Sequence, residues 1–332
     1  MPPPQRPPSR GERVKSWLAE LDGRRILVEV PASSANLGAG YDCLALALDL
    51  VNRIELEVRG WSRGEVDLSV DGEGAGELPS DRTNRFVRAL ESILTEVRGE
   101  LPVGAAWGVE MRNKIPLARG LGSSAAATVG GLVAGNALLG EPLTNRELLR
   151  LATEIEGHPD NAAAALLGGF TVVGPSNGGV EALRFDAPRD LRAVLFIPDL
   201  RLETKAMRRA LPRSVPLADA TANLGRLALG VAGLASGHYE LLRVLTIDRL
   251  HEPYRAKLYP QLPLLVEAAR EAGAIGACLS GAGSTVVAFS DSVSAFTRIE
   301  AALLGVAAEN DLPGRVEIAA PRNQGARVLT RR

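Results

Sequence analysis

Residues 116–127 couple a loop punctuated by two glycines to a long stretch of small residues with helical character: Pro116, Leu117, Ala118, Arg119, Gly120, Leu121, Gly122, Ser123, Ser124, Ala125, Ala126 and Ala127. Glycine reaches backbone angles closed to other residues and lets a ligand approach the main chain, so successive N–H groups around Gly120 and Gly122 can converge on an anion. Ser123 and Ser124 then open the helix. Hydroxyls there cap the first turn, bind phosphate oxygen or ligate Mg²⁺, and the free N–H groups and positive end of the helix dipole favour the same anion. The segment is not a Walker loop, because no lysine follows Gly122. Neutralisation of a phosphate therefore falls to the dipole, a metal and residues elsewhere. On this segment alone, an ordinary helix start with close alanine packing stays open.

Two more segments carry the same kind of signal. Residues 28–42 run from an apolar strand into a polar loop holding Asn36, Gly38, Gly40 and Asp42, and residues 277–289 place Ser280, Gly281, Ala282, Gly283 and Ser284 between two apolar strands. Each by itself reads as a turn, since glycine and serine are common there. In this order and combination the three segments resemble the motifs of the kinase superfamily named for galactokinase, homoserine kinase, mevalonate kinase and phosphomevalonate kinase (GHMP). The resemblance spans nearly the whole chain from about Ile26. It implies an α+β, two-domain architecture of mixed sheets covered by helices, with ATP in the interdomain cleft. The middle motif (Pro116, Gly120, Leu121, Gly122, Ser123, Ser124 and Ala125) would wrap the ATP phosphates, the first would line the acceptor pocket, and the third would support both from beneath.

Residues 154–170 narrow the resemblance to homoserine kinases, whose EG…HxDNxAxAxxGG stretch they match with Glu156, Gly157, His158, Asp160, Asn161, Gly168 and Gly169. A Glu, a His, an Asp and an Asn within six residues cannot enter a core without hydrogen-bond partners, so the cluster is either a site or a polar helix junction. Asp160 also suits a cap on a helix starting at Asn161. The resemblance makes Ser124 and Glu156 the Mg²⁺ ligands, hard oxygen donors for an ion that retains water, with Glu154 as the competing carboxylate. It places Asn36, Asp42, His158 and Asn161 around an amino acid, with Asp42 facing the ammonium and His158 and Asn161 orienting the attacking hydroxyl. Some superfamily members use an Asp as base. Asp160 occupies that position, but homoserine kinases are thought to work without one, so an orienting role comes first.

An amino acid also carries a carboxylate, which arginine meets with two parallel hydrogen bonds. Thr204 and Arg208 match the family's Thr-x-x-x-Arg pattern, which sets them on one helix face, and Arg255 matches a second carboxylate clamp. Asn84 matches the position that touches adenine, though Asx residues also start helices.

Composition agrees. With 332 residues, 46% apolar and 23% charged, the chain can bury one large or two modest cores. A formal charge of −1 and only 4% aromatic residues argue against a nucleic-acid groove. Cys43 and Cys278 sit in apolar segments without zinc spacing. The N-terminus lacks an apolar signal core and no apolar run suits a bilayer, so a cytoplasmic protein is expected. A homodimer stays open, because core and interface residues read alike. Residues 1–25, proline-rich and basic at their start, are expected to be disordered or a packing arm. Residues 26–175 are expected to form the ATP-binding domain and 176–332 the C-terminal domain, with the boundary at 175–179. Periodicity predicts helices near 84–97, 145–153, 161–167, 217–235, 262–272 and 292–308, and strands near 170–173, 192–197, 276–279, 285–289 and 315–319.

The function so implied is transfer of the ATP γ-phosphoryl group to the hydroxyl of L-homoserine. Mevalonate-type and sugar-type kinases are rivals, but their acceptors give no reason for Asp42 beside two arginine clamps. A silent, nucleotide-binding regulator is the rival of another class; the intact Gly-Leu-Gly-Ser-Ser and the retained Glu156 oppose it.

Overall fold

The structure is a computed structural model and describes residues 9–62, 64–177 and 179–332. The chain runs α1 (Arg10–Ala19), β1 (Arg25–Asn36), β2 (Gly40–Trp61), β3 (Val66–Gly72), α2 (Arg85–Arg98), β4 (Ala105–Asn113), α3 (Ser123–Leu138), α4 (Asn145–Glu156), α5 (Asp160–Leu167), β5 (Phe170–Ser176) and β6 (Gly179–Phe185). It continues through β7 (Arg192–Pro198), α6 (Thr204–Arg209), α7 (Leu217–Ser236), α8 (Leu242–Leu245), α9 (Glu252–Arg255), α10 (Leu262–Glu271), β8 (Gly276–Leu279), β9 (Val286–Ser290), α11 (Val293–Glu309), β10 (Gly314–Ala319) and β11 (Arg327–Arg331).

The 22-residue β2 is the spine of the first sheet. It pairs with β1 along its length, with β4 through residues 53–61 and with β5 through residues 44–46. Strands β11 and β3 extend this seven-stranded sheet at opposite ends, and β6 joins through β5. Helix α3 owes its place to its glycines. A Cβ on Gly131 would lie 2.3 Å from the Phe86 carbonyl oxygen and one on Gly135 would lie 2.3 Å from Ile93, so α2 and α3 approach with nothing between them. The second sheet is antiparallel, in the order β10-β7-β9-β8. Strand β7 alternates its sides: Ala193, Leu195 and Ile197 join the core under the first sheet, while Val194 and Phe196 join a separate core with α10 and α11. Period-two alternation with both faces apolar is what a strand buried on two sides requires. Among the described residues, no helix is long and apolar enough to cross a membrane.

The expected elements form, with three corrections. Residues 1–8 lie outside the described residues, but Arg10–Ala19 is a helix packed on the core, the second of the two alternatives and not a disordered segment. Ser9 and Glu12 close a capping box, and Val14, Trp17, Leu18 and Leu21 bury one stripe. The prolines before them hid that stripe. The first domain also does not end at 175, because β6 pairs with β5 from Phe170 to Ser176 and keeps the first sheet running to Phe185. Lastly, β11 returns to pair with β1, so the extreme C-terminus belongs to the first sheet.

That return is held by charge. Glu29 on β1 is buried, and its carboxylate accepts from Arg322 at 2.6 Å, Arg53 at 2.8 Å and Arg327 at 3.0 Å. Burial alone would push its pKa up; the three guanidinium groups outweigh burial and bring it down to about 2. A depressed carboxylate pKa gives stability that is present above the unfolded value near 4.5 and lost as pH falls toward about 2. Glu29→Gln is therefore expected to cost about 3 kcal/mol at pH 7, as removal of one partner from a buried ion cluster does. Urea titrations should show the gap between the two proteins closing between pH 4.5 and 2. A gap independent of pH would mean packing, not charge, ties the C-terminus down.

Candidate active site

The three glycine-containing loops meet at one place. Gly120 and Gly122 both take left-handed angles, with φ of +74° and +71°. A Cβ on Gly120 would fall 2.1 Å from the Ser280 carbonyl oxygen, and one on Gly122 would fall 2.1 Å from Ser33 Oγ. Both positions thus require glycine for close approach as well as for angle. Ser280 Oγ donates to the Gly120 carbonyl at 2.7 Å, Gly281 N–H to Ala35 at 3.0 Å, and Asn36 Nδ2 to Gly281 at 2.8 Å. Asn36 itself sits at φ +68°, and its Oδ1 accepts from Asp42 N–H at 3.0 Å.

Above this junction lies a cleft of about 420 Å³. Pro116, Gly120, Leu121, Gly122, Ser123, Ser124 and Ala125 line it. Gly122 is the N-cap of α3 and offers no side-chain cap, which leaves the first-turn N–H groups to a ligand. Asn36, Asp42, Glu156, His158, Asp160, Asn161, Thr204, Arg208 and Arg255 line the same cleft. The sequence-predicted residues therefore share one cleft, with the exceptions of Asn84 and Glu154.

Asn84 is a correction, and Glu154 is the competing carboxylate that the cleft leaves out. Asn84 is buried as the N-cap of α2: its Oδ1 accepts from Phe86 N–H at 3.0 Å and its Nδ2 donates to Pro79 at 2.8 Å, so both ends of the amide are committed away from the cleft. Glu154 points to solvent and pairs with Arg150 at 2.7 Å. Glu156, two residues on and on the opposite side of α4, accepts from Ser124 Oγ at 2.7 Å and from Thr128, and meets Arg85 at 3.0 Å. Helical geometry separates the two carboxylates, which sequence spacing alone did not decide.

Asp160 is nearly fully buried and is occupied. Its Oδ1 accepts from Asn161 N–H at 2.7 Å and lies 2.9 Å from His158 Nδ1. That hydrogen bond raises the His158 pKa against the opposing effect of burial. With Nδ1 turned to Asp160, Nε2 is left to the cleft. Asn161 Oδ1 accepts from Ser33 Oγ at 2.9 Å, which ties this helix start to the first loop.

Arg208 grips Asp42 with both nitrogens, Nη1 to Oδ2 at 2.8 Å and Nη2 to Oδ1 at 2.7 Å. The Tyr41 hydroxyl accepts from the same Nη1 at 2.8 Å. Arg255 is buried, with Nη1 donating to the Gly281 carbonyl at 2.9 Å and with Nε unpartnered. Both guanidinium groups lie over the Tyr41 ring, Arg208 at 5.7 Å and Arg255 at 5.4 Å from its centre. Arg85, Ser33, Thr128 and Tyr41 escaped the sequence reading. Ser33 and Tyr41 had a signal, both standing inside the recognised motif of residues 28–42.

A Gly122→Ala protein should keep its circular dichroism yet bind an ATP analogue at least about tenfold more weakly by calorimetry, since a left-handed alanine costs about 1–2 kcal/mol and its methyl displaces Ser33. Unchanged affinity would remove the cradle from this loop.

Residues 84–169 match the family described as GHMP kinases N terminal domain, and residues 231–305 match GHMP kinases C terminal. The homoserine kinase of Moorella thermoacetica is 41% identical over 303 residues, 91% of this chain and 99% of that protein. The one from Carboxydothermus hydrogenoformans is 42% identical, covering 86% and 92%. Among solved structures, homoserine kinase from Cytophaga hutchinsonii superposes with a TM-score of 0.79 at 30% identity, covering 92% of this chain and 97% of that one. An L. major mevalonate kinase, at 18% identity and a TM-score of 0.64, shares the fold. The cleft at the N-terminus of α3, lined also by Asp42, Arg208 and Arg255, thus sits in a chain that belongs to the GHMP kinase family, on its homoserine kinase branch.

Proposed function

We propose that the protein transfers the γ-phosphoryl group of ATP to the side-chain hydroxyl of L-homoserine in the cytoplasm, releasing O-phospho-L-homoserine and ADP on the route to threonine. The observation that carries this reading is that Asp42, Arg208 and Arg255 line the same cleft as the open N-terminus of α3. An α-amino acid needs a carboxylate for its ammonium and guanidinium groups for its carboxylate; a sugar has neither group, and mevalonate has a carboxylate but no ammonium for Asp42. His158 and Asn161, held by Asp160 and Ser33, line that cleft too and orient the hydroxyl for in-line attack.

Phosphoryl transfer passes through a loose transition state in which positioning and charge neutralisation carry most of the catalysis. Asp160 accordingly acts as an orienting group: its Oδ1 is already shared between His158 and the Asn161 amide. The hydroxyl of Ser124 beside the carboxylate of Glu156 is a hard-oxygen pair at the cradle's edge, a donor set that fits Mg²⁺. Among the described residues there is no cluster of three or more acidic, His or Cys ligands, so such an ion would also rely on phosphate oxygens and water. When bound, Mg²⁺ supplies charge neutralisation at the transferring phosphate.

The test is ADP release by the purified protein with Mg·ATP and L-homoserine, L-serine, mevalonate or galactose. Release that depends on homoserine supports the reading; release with mevalonate or galactose alone overturns it. Arg208→Lys should raise KM for homoserine by at least about tenfold and leave KM for ATP nearly unchanged, because an ammonium cannot form the fork. Ser124→Ala should lower kcat and spare the homoserine KM; an unaffected kcat would place the metal elsewhere.

A further inference from the structure

The side chain facing Arg255 from within its own helix turn is His251, a fully buried imidazole four residues earlier. Its Nε2 lies 2.8 Å from the Gly38 carbonyl oxygen, and its Nδ1 lies 3.1 Å from Arg255 Nη1. A carbonyl oxygen only accepts and a guanidinium only donates, so the ring must carry its proton on Nε2 and accept at Nδ1. Burial and the charge of Arg255 outweigh the buried Asp248 nearby and bring the His251 pKa down to about 4. A protonated ring would lose the acceptor and set two cations side by side.

We propose that His251 is a positioning residue for substrate recognition, fixing the direction of the Arg255 guanidinium by joining it to the Gly38 carbonyl of the first loop. This rests on the reading of Arg255 as a carboxylate clamp. The Gly38 carbonyl is a fixed point: a Cβ there would lie 2.5 Å from Thr246 Cα, and the next N–H, of Ala39, donates to Leu245 at 2.9 Å. The imidazole is thus a rigid bar between the first loop and α9. Gly281 of the third loop accepts from the same Nη1, so Arg255 is oriented by backbone positions of two loops at once. The His251 ring also lies 5.3 Å from that of Tyr41, the side chain that meets both Arg255 and Arg208. A guanidinium held this way keeps one edge for a ligand, and Nε has no partner on the protein. Arginine otherwise has many rotamers, and fixing them before binding removes that loss from the binding step.

A four-variant series tests this by steady-state kinetics. Asparagine can place an oxygen near Nδ1, and glutamine can place a donor near Nε2, whereas leucine supplies neither. The expected order of homoserine KM is Leu above Gln above Asn, with His251→Leu raised about tenfold or more and His251→Asn within about threefold of the parent, since a charged donor left without its partner costs about this much. The ATP KM should stay constant through the series, and kcat should fall less than kcat/KM for homoserine. Arg255→Lys is the fourth variant. If it leaves homoserine KM unchanged, the clamp reading itself fails. If it raises KM while folded His251→Leu does not, or if the histidine variants weaken ATP and homoserine alike, the positioning role is overturned. Should His251→Leu unfold in a thermal melt, a homoserine KM for His251→Asn no better than that for His251→Gln overturns the role as well.

Discussion

The active cleft depends on a backbone contact that tolerates no side chain, the packing of Gly120 Cα against the Ser280 carbonyl. Because the two loops touch there, the other bonds of the junction have the right length. Ser33 N–H reaches Leu121 at 3.1 Å, Thr285 N–H reaches Arg119 at 3.1 Å, and Ser280 Oγ lies 2.8 Å from Ser34 Oγ. Loops from both sheets are thereby fixed relative to the first turn of α3. Residues from both parts of the chain line the cleft and need such a lock, since an error of an ångström between them separates reacting atoms.

Electrostatics follows from that geometry. The loop of residues 116–122 carries no lysine, and the first turn of α3 offers backbone N–H groups, two hydroxyls and a helix end. Four arginines line the cleft, Arg85, Arg119, Arg208 and Arg255. Arg208 and Arg255 both lie over the Tyr41 ring, one half-exposed against Asp42 and the other buried against neutral acceptors. The burial of Arg255 lowers its pKa without discharging it, as a guanidinium stays protonated throughout the working range.

Much of this was legible in the chain because the chemistry lies in short contiguous segments. Gly120, Gly122, Ser123 and Ser124 are adjacent in sequence and in space, and the same holds for His158, Asp160 and Asn161. The elements were legible where one period ruled, as in β7 and α10. What escaped was decided by tertiary pairing. Strand β11 has little to mark it until Glu29 gathers Arg322 and Arg327, and the stripe of α1 was masked by the prolines ahead of it. Asn84 matched a motif position, yet the demand of a helix start for a cap took both ends of its amide. The choice between Glu154 and Glu156 needed the direction of α4, and the partnership of His251 with Gly38 spans 213 residues and left only an i,i+4 spacing to Arg255 as a trace.

The most direct test of the account is a crystal structure with a non-hydrolysable ATP analogue and L-homoserine. The account predicts the triphosphate over the N-terminus of α3, the ammonium at Asp42, the carboxylate between Arg208 and Arg255, and the side-chain hydroxyl beside Asn161 and His158 in line with the γ-phosphorus. An amino acid bound with its carboxylate toward Asn161, or outside the cleft altogether, would contradict it.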